Sequence, residues 1–236
     1  MPKTLILIPT YNEIENISLM VQKVMGYSQA YHVLIIDDNS PDGTGDAVRE
    51  FQKDYPDRLH LIEREGKLGL GTAYIAGFKW SLEHNYDYSI EMDCDFSHNP
   101  DDLERLVATA ETGYDLVIGS RYCKGGEVVN WPLGRKLMSY YASVYVRMVL
   151  WINVKDTTAG FKCYRNSALV KLNLTKIPFK GYAFQIFMKY QLIKKGFKYK
   201  EIPISFKDRE RGNSKMSSGI FKEAIIGVLK MRFLKL

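Results

Sequence analysis

The chain has 236 residues, 46% of them hydrophobic and 25% charged, which suits one large domain with a sizeable core. Its net charge is +6, with Lys and Arg concentrated after Gly134 and acidic residues in short N-terminal motifs, which argues against a nucleic-acid-binding face. The three cysteines form no C-x-x-C pair, which argues against a disulfide framework and favours a reducing compartment.

Short apolar runs alternate with helical patterns through the first half of the chain. The runs predict strands at residues 5–8, 33–36, 59–62, 88–92 and 116–118, and the helical patterns lie at 14–25, 45–53, 72–83 and 101–112. This alternation predicts a single α/β domain, Rossmann-like, with a mostly parallel central sheet flanked by helices.

The second half is less regular. Helices are predicted at 134–152 and 182–195, a strand at 200–206, a polar loop at 208–218 and an amphipathic helix at 219–236. We therefore expect a main domain over 1–218, followed by a C-terminal amphipathic helix over 219–236.

Polar residues follow four of the predicted strands at the point where each strand ends. They occupy residues 9–13, 37–40, 93–95 and 119–122. Because ligands of parallel α/β sheets bind beyond the carboxyl ends of the strands, the sequence predicts a functional site at this edge.

Two carboxylates one residue apart, Asp93 and Asp95, would place oxygen ligands near one point. Hard divalent cations prefer such ligands, although a polar turn is the alternative. His98 would not be needed by an oxygen-seeking cation. Asp38 is interpreted as a ligand-binding residue, whereas Asp42 either binds ligand or caps the next helix.

Motif order and spacing identify a family resemblance. The runs Pro-Thr-Tyr-Asn-Glu at 9–13, Asp-Asp-Asn-Ser-Pro-Asp-Gly-Thr at 37–44, Met-Asp-Cys-Asp-Phe-Ser-His at 92–98 and Gly-Ser-Arg-Tyr at 119–122 resemble those of family 2 glycosyltransferases with the GT-A fold. The runs at 156–162 and 209–215 are similar to those of polyprenyl-phosphate (dolichyl-phosphate) mannosyltransferases. The resemblance covers residues 4–215.

The resemblance implies a reaction and a set of site residues. The reaction is metal-dependent, inverting transfer of mannose from GDP-mannose to a polyprenyl (dolichyl-type) phosphate, with Mg²⁺ or Mn²⁺ as cofactor. The residues implied on the donor side are Pro9, Tyr11, Glu13, Ile36 and Asp38 for guanosine, Cys94 beside them, and Asp93 and Asp95 for metal and diphosphate. The basic residues implied are Arg121, Arg135 and Lys136, facing the acceptor phosphate or the sugar, and Arg209, Arg211 and Lys215, closing over the diphosphate from a mobile loop. The expected catalytic residues are Asp95, Arg121 and Arg135.

Ser97 departs from the pattern of the family. Some members carry Gln at this position, and that Gln supplies a metal ligand. Ser97 is thus the third candidate metal ligand, but its reach is shorter, so a water molecule could take its place.

The acceptor chemistry predicts that no side-chain base is essential. A phosphate monoester has a second pKa of about 6 and is mostly dianionic at neutral pH, so the nucleophile arrives ionised. The alternatives are a UDP-glucose or UDP-GlcNAc enzyme, a nucleotide- or RNA-binding module and a Rossmann oxidoreductase. The carboxylates at the strand ends disfavour the module, and the missing glycine fingerprint after the first strand disfavours the oxidoreductase.

Membrane contact is expected to be peripheral and on the cytoplasmic face. The apolar run near the N-terminus is too short for a signal peptide, and Ser139, Ser143 and Arg147 interrupt the longest apolar stretch, residues 137–152. Residues 219–236 mix basic, aromatic and aliphatic side chains, as interfacial helices do, and the aromatic-rich residues 132–152 are a second candidate. These helices or a membrane-embedded partner subunit would bring the protein to its lipid.

Overall fold

A computed structural model describes residues 2–209, 211 and 219–234. The strands β1 to β9 are Thr4–Thr10, Tyr31–Asp37, Leu59–Glu63, Tyr88–Glu91, Leu116–Ser120, Glu127–Val129, Lys162–Arg165, Tyr199–Pro203 and Ser205–Lys207. The helices α1 to α8 are Ile14–Met25, Thr44–Gln52, Leu70–Glu83, Leu103–Glu111, Leu133–Leu150, Asn166–Leu169, Tyr182–Lys194 and Gly219–Phe233.

The central sheet has the strand order β3-β2-β1-β4-β7-β5-β8. Every neighbouring pair is parallel except those of β7, which runs antiparallel to both β4 and β5. The register aligns Thr10 with Asp37 and Leu7 with Glu91, so β1, β2 and β4 end at one edge. The predicted single α/β domain with a mostly parallel sheet is confirmed, and the four polar clusters share that edge.

Two predictions about strands in the second half are wrong or incomplete. The single strand expected at 200–206 is two strands, because Pro203 ends β8 and the N–H of Ile204 donates to the Ser120 carbonyl at 3.2 Å. The chain then leaves the central sheet, and β9 pairs in parallel with β6. Strand β7 was not predicted, because four residues with charged ends give no apolar pattern.

Alternate residues of the buried strands pack into two cores on opposite faces of the sheet. Leu5 and Leu7 of β1 pack with α3, α5, α7 and α8, whereas Ile6 and Ile8 pack with α1, α2 and α4. A side chain at Gly77 of α3 would place its Cβ 2.9 Å from Leu7, so glycine lets this helix lie close to the sheet. The two cores hold rigid the edge of the sheet that carries the four polar clusters.

Helix α8 packs against α5 and α7 along one face. Val228 and Met231 are buried, and the Tyr145 hydroxyl of α5 donates to the carbonyl of Ile225 at 3.1 Å. Among the helices of the described residues, none combines the length and apolar character that crossing a bilayer requires.

An aromatic cluster lies at the opposite, amino-terminal edge of the sheet. The Tyr86 hydroxyl is 3.0 Å from Nδ1 of His32 and 3.4 Å from Nε2 of His60, and the Lys3 ammonium is 4.2 Å from the centre of the Tyr86 ring. Burial lowers the pKa of His32 to about 4, and the charge of Lys3 acts in the same direction. Burial also lowers the pKa of His60.

This cluster predicts loss of stability on acidification. A folded-state pKa of about 4 for His32 lies below the unfolded value of about 6.5, so protons bind the unfolded chain first. The free energy of unfolding should fall as the pH decreases through this interval, and less so in His32→Phe, which retains a ring. Urea unfolding between about pH 7.5 and about pH 4 measures both losses. Equal losses of unfolding free energy in wild type and His32→Phe would contradict the prediction. The difference in unfolding free energy between the two proteins at the higher pH gives the cost of the altered packing.

Candidate active site

The turn after β4 presents the predicted pair of carboxylates. Oδ1 of Asp95 accepts the N–H of Ser97 at 3.1 Å and its hydroxyl at 2.6 Å. Oδ2 of Asp95 lies 2.8 Å from the Arg209 guanidinium. Ser97 therefore orients Asp95, and the second carboxylate oxygen is directed at a positive charge.

Asp93 lies in the cleft beside Asp95 and keeps 40% of its side-chain surface exposed. The pKa of Asp93 is raised to about 7, chiefly because the cleft removes water from the carboxylate. The like charge of Asp95 also raises the pKa, and Arg209 lowers it. A cation bound between these carboxylates would relieve their repulsion. The carboxylate oxygens of Asp93 and Asp95 are hard donors that suit a divalent metal.

His98 supports this turn from below. Its Nδ1 accepts the backbone N–H of Asp93 at 3.1 Å, and its ring stacks on Phe161 at 4.9 Å. Burial lowers the pKa of His98 to about 4, so the ring is neutral and its Nδ1 lone pair is occupied. His98 therefore helps to shape the acidic turn.

The loop after β2 is tied to the loop after β1 by hydrogen bonds. Asp37 accepts the Thr10 hydroxyl at 2.7 Å and the Ser40 hydroxyl at 2.6 Å. Asp42 accepts the first N–H of α1, from Ile14, at 3.1 Å and the Thr44 hydroxyl at 2.6 Å. Burial tends to raise the pKa of Asp42, but these hydrogen bonds lower it overall. The geometry favours a capping role for Asp42.

Asp38 has a partner that the sequence did not reveal. Nε of Arg64 donates to Asp38 at 2.6 Å, and Nη1 of Arg64 donates to the Thr72 hydroxyl at 2.7 Å. Burial raises the pKa of Asp38 although Arg64 opposes it. Arg64 directly follows β3, and its position after a strand at the same edge was the signal that could have identified it.

The other residues expected on the donor side differ in how deeply they are buried. Tyr11 lies beneath Lys67, whose ammonium is 5.1 Å from the ring centre. Pro9 is partly buried, while Glu13 is buried and accepts the side-chain amide of Asn16 at 2.9 Å. Two expected residues are buried more deeply: Cys94 lies within the acidic turn, and Ile36 packs in the core near Gly77.

Arg121 is held by a buried carboxylate. Nε and Nη2 of Arg121 donate to the two oxygens of Asp156, each at 2.7 Å, and Nη2 also donates to Thr158 at 2.8 Å. No acceptor among the described residues bonds Nη1. Asp156 is fully buried, and the guanidinium lies 5.3 Å from the ring centre of Tyr122 and 5.4 Å from that of Phe206. Asp156 thus fixes Arg121 while leaving Nη1 for another anion.

Arg135 lies at the start of α5, where Nη1 is 3.0 Å from both oxygens of Asp208 and the guanidinium is 4.0 Å from the centre of the Trp131 ring. Lys136 is exposed next to it, and Arg211 is also exposed. The remaining predicted cation, Lys215, lies outside the described residues. The structure therefore brings Arg121, Arg135 and Arg209 to the edge that carries Asp93 and Asp95.

A network of buried charges forms the floor of the site. The Lys162 ammonium of β7 is 2.9 Å from Glu91 of β4 and also donates to the side chain of Gln185. Lys189 of α7 donates to the carbonyls of Ala159 at 2.8 Å and Gln185 at 3.0 Å. Burial lowers the pKa of both ammonium groups. The sequence gave no signal for this network, because the partners of Lys162 in β7 belong to β4 and α7 and Ala159 is 30 residues from Lys189.

A family model described as "Glycosyl transferase family 2" matches residues 5–172. The chain belongs to this family. It is 46% identical over 226 residues to a polyprenol monophosphomannose synthase from Mycolicibacterium smegmatis, covering 96% of this chain and 85% of the relative. It is 45% identical over 228 residues to an undecaprenyl-phosphate mannosyltransferase from Micrococcus luteus, covering 97% and 93%. The resemblance inferred from the motifs is confirmed.

Solved structures of other glycosyltransferases share the fold. A glucosyl-3-phosphoglycerate synthase from Mycobacterium tuberculosis, in complex with Mn²⁺, UDP and glucosyl-3-phosphoglycerate, aligns with a TM-score of 0.72 at 16% identity, covering 100% of this chain and 81% of that one. A mannosyltransferase from Pyrobaculum calidifontis, in complex with GDP-Man and Mn²⁺, aligns with a TM-score of 0.59 at 16% identity, covering 98% and 70%. The glycosyltransferase therefore has the GT-A fold.

Removal of the Asp156 charge should destabilise the protein. Asp156→Asn leaves the buried Arg121 guanidinium without its counter-charge, and breaking such a pair costs about 3–5 kcal/mol. The free energy of unfolding from urea titration measures the loss. Asp46→Asn is the matched control, because Asp46 pairs with Arg49 on the surface, and little change is expected there. Equal effects of the two substitutions would contradict the structural role of Asp156.

Proposed function

We propose that the protein transfers mannose, with inversion, from GDP-mannose to a polyprenyl (dolichyl-type) phosphate and releases polyprenyl-phosphate mannose. The observation that carries the proposal is the identity of 46% and 45%, over nearly the whole chain, with two curated polyprenyl-phosphate mannose-forming enzymes. The distribution of charge in the site supports it, because acidic and basic residues form separate groups around one cleft.

The donor side is assigned to the acidic turn. Asp93 and Asp95 would hold Mg²⁺ or Mn²⁺, with Ser97 as a third ligand or as the hydrogen-bond donor that orients Asp95. A bound cation would neutralise charge on the leaving diphosphate. The contact between Arg209 and Asp95 supports this assignment, since it shows that a cationic group can bind this carboxylate. The same fold has been solved with GDP-Man and Mn²⁺ in another mannosyltransferase.

The guanosine part of the donor is assigned to the ends of β1 and β2. Tyr11 offers an aromatic face, Asp38 a carboxylate, and Pro9 and Glu13 flank them at the end of β1. Arg64 and Lys67 join this group from the loop after β3 and provide cations close to the nucleotide. Guanidinium groups bind phosphate through paired donors, so Arg64 would restrain both Asp38 and the nucleotide.

The acceptor side is assigned to the arginines across the cleft. Nη1 of Arg121, the guanidinium of Arg135 and the exposed ammonium of Lys136 would attract a phosphate monoester and aim one of its oxygens at the anomeric carbon. The phosphate, with a second pKa of about 6, is its own nucleophile above that pH. The residues therefore need to orient a charge that is already present, and no side chain has to remove a proton.

Helices α5 and α8 are assigned to the membrane surface. Their outer faces expose Met148, Trp151, Leu229 and Phe233, with Trp151 79% and Phe233 82% accessible. The Arg232 guanidinium lies 4.1 Å from the centre of the Trp151 ring. Aromatic and aliphatic side chains beside cations suit the headgroup region of an anionic bilayer. Association would thus be peripheral, on the cytoplasmic face, where a polyprenyl phosphate presents its headgroup.

Incubation with labelled GDP-mannose and a short polyprenyl phosphate tests the function. Lipid-soluble label should form with Mg²⁺ or Mn²⁺ and should disappear with EDTA. UDP-glucose and UDP-GlcNAc are the comparison donors, offered at the same concentration. Label transferred from a UDP-sugar but not from GDP-mannose would refute the proposed donor, and label that fails to enter the lipid phase would refute the acceptor.

Arg135→Ala should impair use of the acceptor selectively. Loss of a hydrogen-bonded charge is expected to raise the KM for polyprenyl phosphate by about tenfold or more, while the KM for GDP-mannose changes little. Initial rates at varied concentrations of each substrate separate the two effects. Lys53→Gln, on the far surface of α2, is the control for the loss of one positive charge. An unaltered acceptor KM would remove Arg135 from the acceptor site.

Charge placed on the outer face of α8 should weaken membrane binding. Phe233→Glu replaces an exposed apolar contact with an anion, so affinity for anionic vesicles should fall by about tenfold or more. Vesicle sedimentation at low salt measures it, and Val170→Glu, which changes an exposed apolar residue after α6, is the control. If the wild-type protein does not sediment with the vesicles, the proposed direct contact with the membrane is wrong. This face would then bind a membrane-embedded partner subunit instead.

A further inference from the structure

Two adjacent residues after β9, Asp208 and Arg209, carry opposite charges and reach opposite sides of the cleft. The carboxylate of Asp208 contacts Arg135, which is assigned to the acceptor, and the guanidinium of Arg209 contacts Asp95, which is assigned to the donor. Neither contact is required by the fold of the strands, which ends at Lys207. The pair links two half-sites through one peptide bond.

The Arg209 end of this link occupies the position that a divalent cation needs. Oδ1 of Asp95 is used by Ser97, so Oδ2 is the oxygen available to a cation, and the Arg209 guanidinium is 2.8 Å from it. Asp95 retains only 7% of its side-chain surface exposed in this arrangement, whereas Arg209 retains 25%. A metal ion and Arg209 therefore compete for the same oxygen.

The Asp208 end occupies the position that an acceptor phosphate needs. Both of its oxygens lie 3.0 Å from the same nitrogen, Nη1 of Arg135, so the carboxylate occupies a donor that an oxygen of a phosphate would otherwise use. Arg135 and Asp208 are about equally exposed, with 36% and 35% of their side chains accessible, so a solvent-borne anion can reach the pair. Trp131 supports Arg135 from its other face and is independent of Asp208.

The backbone of Asp208 is anchored separately from the side chains. Its N–H donates to the carbonyl of Val129 in β6 at 3.3 Å. Both side chains can therefore exchange partners while the main chain at Asp208 keeps its hydrogen bond to β6. An exchange of this kind needs only rotamer changes, which are fast compared with turnover of a typical enzyme.

We propose that Asp208 and Arg209 act as internal substitutes for the charges of the two ligands in the free enzyme. Arg209 takes the place of the divalent cation at Asp95, and Asp208 takes the place of the acceptor phosphate at Arg135. This inference rests on the proposed function for the identity of the two ligands. It assigns Asp208 a role in substrate selection, because an anion must displace the Asp208 carboxylate to reach Nη1 of Arg135. It also means that metal binding displaces Arg209 from Asp95, so that its guanidinium can turn to the donor diphosphate.

The Arg209 end predicts opposite effects on metal binding and on turnover. Arg209→Gln removes the competitor, so Mn²⁺ without nucleotide should bind on the order of tenfold more tightly, since hydrogen bonds between charged groups contribute at least this factor. Turnover should nevertheless fall, because a contact with the diphosphate is lost. Electron paramagnetic resonance of free Mn²⁺ measures the affinity, and Arg209→Lys, which keeps the charge, should bind Mn²⁺ with intermediate affinity.

A matched control separates competition from net charge. Lys207→Gln removes a positive charge from an exposed residue two positions earlier, and its Mn²⁺ affinity should stay within about twofold of wild type, since exposed charges are screened. If Arg209→Gln binds Mn²⁺ no more tightly than wild type, or if Lys207→Gln tightens binding equally, the competition at Asp95 is refuted. Circular dichroism of each variant confirms that it is folded.

The Asp208 end predicts tighter binding of a phosphate monoester. Asp208→Asn should bind geranyl phosphate on the order of tenfold more tightly in calorimetry without donor, whereas Asp54→Asn, on the turn after α2, should not. Unchanged or weaker binding by Asp208→Asn refutes the substitution at Arg135, and failure of either end refutes the proposal for the pair. Wild-type transfer from GDP-mannose is measured in parallel. Its absence would count against the proposed function alone, because neither binding measurement uses the donor.

Discussion

Repulsion between two carboxylates in a sheltered cleft is the constraint on which the arrangement of the site depends. Asp93 and Asp95 follow β4 directly, and burial together with their mutual charge opposes ionisation of Asp93. Positive charge must lie close to this pair, yet the other arginines at this edge must not collapse onto it. The protein meets both demands by giving these arginines carboxylates of their own, Asp156 for Arg121 and Asp208 for Arg135. Charge separation across the cleft is thus maintained by local pairing on each side.

Beneath the cleft, the buried ammonium groups of Lys162 and Lys189 connect the elements that support it. Among the described residues, Lys162 pairs with the carboxylate of Glu91, and Lys189 donates to the backbone carbonyls of Ala159 and Gln185. Desolvation of ammonium groups is costly, so each is stable only where its hydrogen bonds are directed by rigid elements. The loop that contains Ala159 leads to β7, so Lys189 also restrains the segment that carries Asp156. The buried lysines and the Arg121 anchor are therefore parts of one connected support.

The sequence predicted those features that depend on local pattern. Apolar runs located the five parallel strands of the first half, and polar residues at their ends located the edge that carries the candidate site. The family motifs identified the acidic turn and Arg121. Patterns failed where partners are distant: Arg64 and Asp38 are 26 residues apart, and Arg135 and Asp208 are 73 apart. No periodicity records such pairs, because they form only after the strands have been ordered in the sheet.

The sequence did not predict strand β7 for a related reason. Its sequence, Lys-Cys-Tyr-Arg, begins and ends with charges that are tolerated because Glu91 and Asp115 lie opposite them in space. A rule based on apolar residues excludes such a segment. The division of residues 199–207 into β8 and β9 was missed because the apolar alternation continues through Pro203 and Ile204, while the pairing partner changes from β5 to β6.

The late position of β7 in the chain has a consequence for the order of folding. Strand β5 follows β4 in the sequence, but the two strands do not pair in the sheet. The position between them stays open until β7 is inserted. A growing chain that has reached only α5 therefore presents one unpaired edge of β4 and both edges of β5, and such edges can associate with other chains. The block β3-β2-β1-β4 can assemble early from near neighbours, whereas closure of the sheet waits for residues 162–165. The synthesis of β7 thus closes the gap between β4 and β5, and the other edge of β5 stays unpaired until β8 follows.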